Sequence, residues 1–150
     1  MPHHFPALRA QLAADIGAVL AEYPKDPARI VFGQPLKPIL NVPNAVVRTL
    51  VERENEGRSV DENYGFEIEM RLPKYDPEAT DRETCLFGAA DKLIMRLAPF
   101  DSDEVPEADP YYADVGHGRE VTAVTPGYDD PASPFCSIKL GFRVGTTIYQ

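Results

Sequence analysis

The apolar residues between Pro6 and Tyr23 recur at every third or fourth position, which is the spacing of an amphipathic helix. Six alanines lie in the same stretch, Pro6 suits a helix start, and Pro24 cannot continue the helix. The pattern therefore predicts a first helix over 6–23, with one apolar face formed by Leu8, Leu12, Ile16, Val19, Leu20 and Tyr23.

Strict alternation replaces the helical spacing further along the chain. Over 63–72, the residues Phe66, Ile68, Met70 and Leu72 alternate with Glu67, Glu69 and Arg71, which predicts a strand with one buried face and one solvated face. A second strand is predicted over 45–54, where Val46, Arg48, Leu50 and Glu52 share a face. The eight residues between these strands, 55–62, contain Gly57 and several charges, so we expect a long-looped antiparallel hairpin.

The second half of the chain repeats the order of helix and strands. A helix capped by Thr80 or Asp81 is predicted to run to Leu97, on an apolar stripe at helical spacing. Strands are predicted over 119–125 and 135–148, with a turn at 126–131 that contains Pro and Gly. The order α-β-β-α-β-β predicts an α+β fold, a mostly antiparallel four-stranded sheet with two helices packed on one face.

Two long segments interrupt this single predicted domain, which spans 1–150. Residues 25–44 are rich in proline and contain one short extended piece at 29–32, so they form either a surface arm or a connection that packs back on the domain. Residues 98–116 include six acidic side chains and no basic one between Asp101 and Asp114, which is typical of a solvated loop.

The charge limits the classes of partner. The 150 residues hold 15 Lys and Arg against 24 Asp and Glu, a formal charge of −9, which disfavours a tight nonspecific grip on nucleic acid. The same negative charge is compatible with DNA that passes close to the protein without binding to it. No apolar stretch reaches the ~18 residues of a membrane span, and no signal-peptide pattern opens the chain, so we expect a protein of the cytoplasm or of a particle assembled there.

Few residues offer catalytic or metal-binding chemistry. Cys85 and Cys136 are too far apart in sequence for a metal knuckle, and two cysteines make no disulfide framework, so both are predicted to be small core residues. His117 lies between two glycines with Asp114 just before it and could act as a base or ligand. No second His, and no Cys at ligand spacing, accompanies it.

The acidic residues give no stronger signal. The run 101–104 resembles half of a calcium loop but lacks its glycine and closing Glu. Two of the four residues Glu52, Glu54, Glu67 and Glu69 could act as a general acid and a general base. However, alternating acidic residues are common on the solvent-exposed face of a sheet. No phosphate loop, nucleophile elbow or zinc-protease motif is present. We therefore expect no enzyme, with no catalytic, cofactor-binding or metal residues.

The layout of the whole chain resembles the tail-terminator, or tail-completion, proteins of long-tailed bacteriophages and related phage-like particles. The resemblance is one of pattern over nearly the full chain, and 25–44 and 98–116 are longer than the compact pattern. It rests on segments in the first helix, three strands and the second helix: Leu8–Asp15, Asn44–Arg48, Gly65–Leu72, Ala89–Leu93 and Ser137–Val144.

This resemblance implies a structural virion protein at the neck end of a tail, made in the host bacterial cytoplasm. Such a protein forms a ring, commonly a hexamer, that caps the tail tube, ends its polymerisation and joins it to the head-proximal connector or stopper protein. DNA passes through the ring without specific binding, and no cofactor or membrane is involved. The alternatives are another neck or tail-tube subunit, a non-viral ligand- or protein-binding domain, or a small hydrolase or isomerase that uses His117.

Candidate interface residues are aromatic or apolar groups in predicted loops or at the chain end. There, burial within one subunit is least assured, although folding back on the subunit's own core is the alternative. These candidates are Tyr111, Tyr112, Ile148 and Tyr149.

Overall fold

The computed structural model describes residues 4–22, 29–34, 43–73, 82–97, 117–127 and 135–149. The elements in chain order are α1 (Phe5–Leu20), β1 (Arg29–Phe32), β2 (Asn44–Glu56), β3 (Ser59–Pro73), α2 (Arg82–Leu97), β4 (His117–Pro126) and β5 (Phe135–Tyr149). The fold is α+β, as predicted. The predicted acidic loop at 98–116, the helix cap at Thr80 or Asp81 and most of the predicted arm at 25–44 lie outside the described residues.

Within the described residues, the sheet has five strands in the order β1-β2-β3-β5-β4, not the four predicted. The additional strand is β1, which pairs in parallel with β2 from Arg29 opposite Asn44 to Phe32 opposite Val47. All other neighbours are antiparallel. Ile30 and Phe32 pack against the core, so this short piece of the predicted arm is an edge strand rather than a free connection.

The hairpin between β2 and β3 is much tighter than predicted. Its loop is only Gly57 and Arg58, because the strands continue through the charged residues on both sides. Gly57 has φ +60 while Arg58 does not have a positive φ, which is the pattern of a type II′ turn with glycine first. The Ser59 hydroxyl donates to the Glu56 carbonyl at 3.0 Å. The prediction of an eight-residue loop at 55–62 is therefore wrong. A regular two-residue turn sets the register between β2 and β3.

One face of the sheet and both helices enclose the hydrophobic core. On β3, the buried side chains alternate from Val60 to Leu72, as the period of a strand requires. Phe66 lies directly opposite Phe142 on β5, and their rings stack at 6.2 Å between centroids. Residues from α1 and α2 belong to the same core cluster, which agrees with two helices on one face.

The helices are also joined to each other by charged groups. Asp15 on α1 is only 1% exposed, and its carboxylate lies 3.4 Å from Arg96 Nε on α2. Gln11 donates to the same carboxylate from one turn earlier. A second ion pair joins Glu22, just after α1, to Lys92. Within the described residues, no helix is long and apolar enough to cross a membrane.

Candidate functional site

The predicted interface residues are only partly placed by the structure. Tyr111 and Tyr112 lie outside the described residues. Ile148 and Tyr149 belong to β5, where their backbones pair with Val60 and Ser59 beside the hairpin turn. Ile148 and Tyr149 are therefore in a paired strand rather than in a loose chain end. Their role in an interface stays a prediction.

The candidates for metal or catalytic chemistry are not brought together in the described part of the chain. His117 is the first residue of β4 and lies opposite Gly145, while Asp114 and the acidic run 101–104 are outside the described residues. No group of three or more His, Cys, Asp or Glu that could hold a metal occurs among the described residues. Neither cysteine forms a disulfide. Cys136 is buried in the core, as predicted, whereas Cys85 is only half-buried and lies outside the core cluster.

The four glutamates that could have formed an acid and base pair all lie on the sheet face opposite the helices, which we call the outer face. Glu67 pairs with Arg48 across β2 and β3 at 3.0 Å, and Glu69 pairs with Arg71 on its own strand at 3.3 Å. Glu52 and Glu54 lie further along β2 toward the hairpin turn. Glu67 and Glu69 are therefore each paired with an arginine rather than with another carboxylate.

The outer face is only partly open to solvent, unlike the fully wet face predicted for β3. At the end where β2 begins, Asn44 and Val46 are buried, as is Ser137 on β5. Arg71 is half-buried and its guanidinium lies 5.4 Å from the centre of the Phe135 ring. Open surface begins at the row that holds Arg48 and extends to the hairpin turn.

A shallow depression of about 370 Å³ lies in the middle of this open part. Leu50 is 65% exposed beside it, because its directly opposite residue on β3 is Gly65, which has no side chain to cover it. Gly141 on β5 supplies a second position without a side chain. The lining also contains the ion pair of Arg48 with Glu67, together with Thr122 and Arg143.

A β-bulge on β4 shapes one wall of the depression. The register between β4 and β5 shifts between Val121 and Ala123, so Thr122 is the extra residue. A Cβ at Gly141 would lie 2.3 Å from Thr122 Oγ1, closer than real Cβ contacts. Glycine at this position therefore leaves space for the Thr122 hydroxyl.

The charges of the outer face are arranged unevenly along the strands. Around the depression, Arg48 pairs with Glu67, and Arg143 pairs with Glu120 at 3.4 Å. Toward the hairpin turn, β2 and β3 place Glu52, Glu54, Glu56 and Asp61 on this face with no basic residue among them. Exposed cross-strand pairs contribute only ~0–1 kcal/mol each to folding. This surface thus combines weakly held charges with one exposed leucine.

Sequence reasoning placed Leu50 on the same face as Arg48 and Glu52 but did not single it out. The available signal was an apolar residue in phase with charged ones on a strand. What makes it a surface feature is the glycine opposite it, and that depends on the hairpin register.

The comparisons with known proteins bear on the fold. No protein-family model matches the sequence, and no curated protein matches it. Among solved structures, a chain in the virion of a native gene transfer agent particle has the same fold, with a TM-score of 0.53. The alignment covers 94% of this chain and 92% of that chain at 16% sequence identity. At this identity the likeness shows a shared fold over nearly the whole of both chains.

Proposed function

We propose that this protein is a structural subunit of a phage-like virion, and specifically a tail terminator. In this role it forms a ring, in the hexameric form that the sequence resemblance implies, which caps the tail tube and ends its polymerisation. Its partners are further copies of itself, the tail-tube protein and the head-proximal connector or stopper protein. It acts without a cofactor and without catalysis.

The observation that carries the proposal is the fold match along nearly the full length of a virion chain. The alignment covers more than nine-tenths of both chains. The finer role, that of a tail terminator, is supported by the sequence layout, which resembles tail terminators from the first helix to the last strand.

Charge is consistent with a ring around DNA. The formal charge is −9, and the described hairpin end carries four carboxylates on the outer face. Acidic walls repel the phosphate backbone, so DNA can move past such a subunit without being retained. This argument supports a passage role and disfavours a DNA-packaging or DNA-reading role.

The experiment is deletion of the gene in a strain that produces the particles, followed by negative-stain electron microscopy. Loss of a terminator is expected to give tail tubes of uncontrolled length that are not joined to heads, and a plasmid copy should restore normal tails. Loss of a tube subunit would instead abolish tubes, and loss of a head-completion protein would leave unjoined tails of normal length. Normal joined particles in the deletion strain would refute the proposal.

The predicted interface residues provide a narrower test. Replacing both Tyr111 and Tyr112 by Ala should weaken ring assembly, measured by light scattering, more than it lowers the urea midpoint of unfolding. Equal loss of assembly and of folding stability would contradict a role in the interface.

A further inference from the structure

Beyond Val47, one side of β2 has no strand next to it in the described part of the sheet. Strand β1 pairs with β2 only from Asn44 to Val47, and the Gly33 amide donates to the Val47 carbonyl at 2.8 Å where this pairing ends. β2 itself continues to Glu56. We call residues 49–55 of β2 the free edge.

The two ends of β2 show which way its backbone groups point. Val47 directs its carbonyl toward β1, and in a strand every second residue faces the same side. Glu56 pairs with Ser59 next to the two-residue turn, so the residues of the other set face β3. The set in phase with Val47 therefore points its N–H and C=O groups away from β3, without a strand partner among the described residues. This set continues with Thr49, Val51, Arg53 and Asn55.

The two sides of the described sheet differ in how they resist pairing with a further strand. At the far side, β4 has a bulge at Thr122 and ends at Pro126, and both features hinder the addition of a strand. The free edge contains no proline, and its register with β3 has no shift. Its residues are exposed except for the half-buried Val51. The free edge is therefore a regular template on which an extended segment can form backbone hydrogen bonds.

Three glutamates of β2 determine which extended segment fits. Glu52, Glu54 and Glu56 alternate on the outer face, are exposed, and have no ion-pair partner among the described residues. A neighbouring strand places every second side chain about 4.5–5.5 Å from such residues, where opposite charges stabilise the pairing and like charges destabilise it. On the helical side, Arg53 already lies 3.4 Å from Glu62. The charges therefore favour a segment with lysine or arginine at every second position.

The same glutamates disfavour a second copy of this chain as the occupant. Because β1 fills the neighbouring position as far as Val47, two β2 strands can pair in antiparallel only about residue 53 or a residue nearer the turn. Pairing about residue 53 puts Glu52 opposite Glu54, and pairing about residue 54 puts Glu54 opposite itself. Each such arrangement brings like charges together, which destabilises the pairing.

We propose that the free edge of β2 docks an extended segment of another protein that carries lysine or arginine at every second position. The segment adds a strand beside β2, with its basic side chains next to the three glutamates on the outer face. This inference goes beyond the proposed function and does not depend on it, so its failure would not count against the virion role.

The probe is the peptide Lys-Thr-Lys-Val-Lys-Thr-Lys, acetylated and amidated at its ends and titrated by calorimetry at low ionic strength. The full chain should bind this peptide but not the matched peptide in which glutamate replaces each lysine. In the double variant Glu52→Lys, Glu54→Lys, affinity for the lysine peptide should fall roughly tenfold or more, and the glutamate peptide should bind instead. Glu120 on β4 is also exposed, so Glu120→Lys is the control and should bind the lysine peptide as the wild type does.

N-methylated peptides separate strand pairing from general attraction between charges. A strand presents only every second N–H to its neighbour, so methylating one alternate set of peptide amides should abolish binding and methylating the other set should not. Equal binding of the two methylated peptides would overturn the proposal, as would a folded wild type that does not bind the lysine peptide. A lower mass of the double variant in light scattering would show that the free edge joins copies of this chain, and would also overturn it. Circular dichroism and urea unfolding confirm that each variant is folded.

Discussion

Replacing Gly141 by Ala is the sharpest test of the described packing. The new Cβ would lie 2.3 Å from Thr122 Oγ1 and 3.7 Å from the Ala123 nitrogen. Overpacking of this kind lowers the free energy of unfolding by ~1–3 kcal/mol. Replacing glycine by alanine also restricts the unfolded chain, which raises the free energy of unfolding by ~0.4–1 kcal/mol. We expect Gly141→Ala to lower the free energy of unfolding by about 1–2 kcal/mol.

The assay is urea unfolding followed by circular dichroism, on a double-mutant cycle with Thr122→Ala. Removing the threonine hydroxyl removes the atom that the new methyl group meets, so Gly141→Ala should be close to neutral in that background. We expect a coupling free energy of about 1 kcal/mol or more between the two positions.

A matched glycine provides the control. A Cβ at Gly88 in α2 meets nothing within 4 Å, and alanine is the better helix former, so Gly88→Ala should stabilise by ~0.5–1 kcal/mol. If Gly141→Ala is neutral or stabilising in the wild-type background, the Thr122 hydroxyl moves aside without cost and the reasoning is refuted.

Three further substitutions test the polar anchors and the turn. Tyr64→Phe removes a buried hydroxyl that donates to Glu62 Oε1 at 2.9 Å. We expect it to lower the free energy of unfolding in urea by ~1–3 kcal/mol, and a decrease of less than ~0.5 kcal/mol would show that this hydrogen bond does not stabilise the fold. Asp15→Ala should cost ~1–3 kcal/mol, since it leaves the half-buried Arg96 without its carboxylate, and an unchanged thermal midpoint would contradict this. Gly57→Ala places an alanine at φ +60 and should cost ~1 kcal/mol in urea unfolding; no change would mean that the turn relaxes to another type.

The elements with strong periodicity could be predicted from sequence, and the ones without it could not. Both α1 and β3 have buried residues repeated at a fixed spacing, so they lie close to where they were predicted. By contrast, β1 has only four residues, and its identity as a strand depends on a parallel partner that starts at Asn44. The sequence of these four residues contains no pattern that predicts which strand they pair with.

The hairpin error has a physical cause that also explains why the depression was not predicted. Near the turn, β2 is exposed on both faces, so its residues do not alternate between apolar and polar and the segment resembles a loop. An eight-residue loop would have placed Leu50 opposite Glu67 instead of Gly65. The exposed leucine beside a glycine exists only in the register set by the two-residue turn.

The position of β5 has a consequence for how the chain is made. It is the last strand in the sequence, yet it lies between β3 and β4, and in the described sheet β4 has no other neighbour. During synthesis, β1, β2 and β3 can pair early, while β4 leaves the ribosome without a strand to join. A chain interrupted before β5 would therefore expose the unpaired backbone edge of β3 together with an unpaired β4, and unpaired strand edges favour aggregation or degradation.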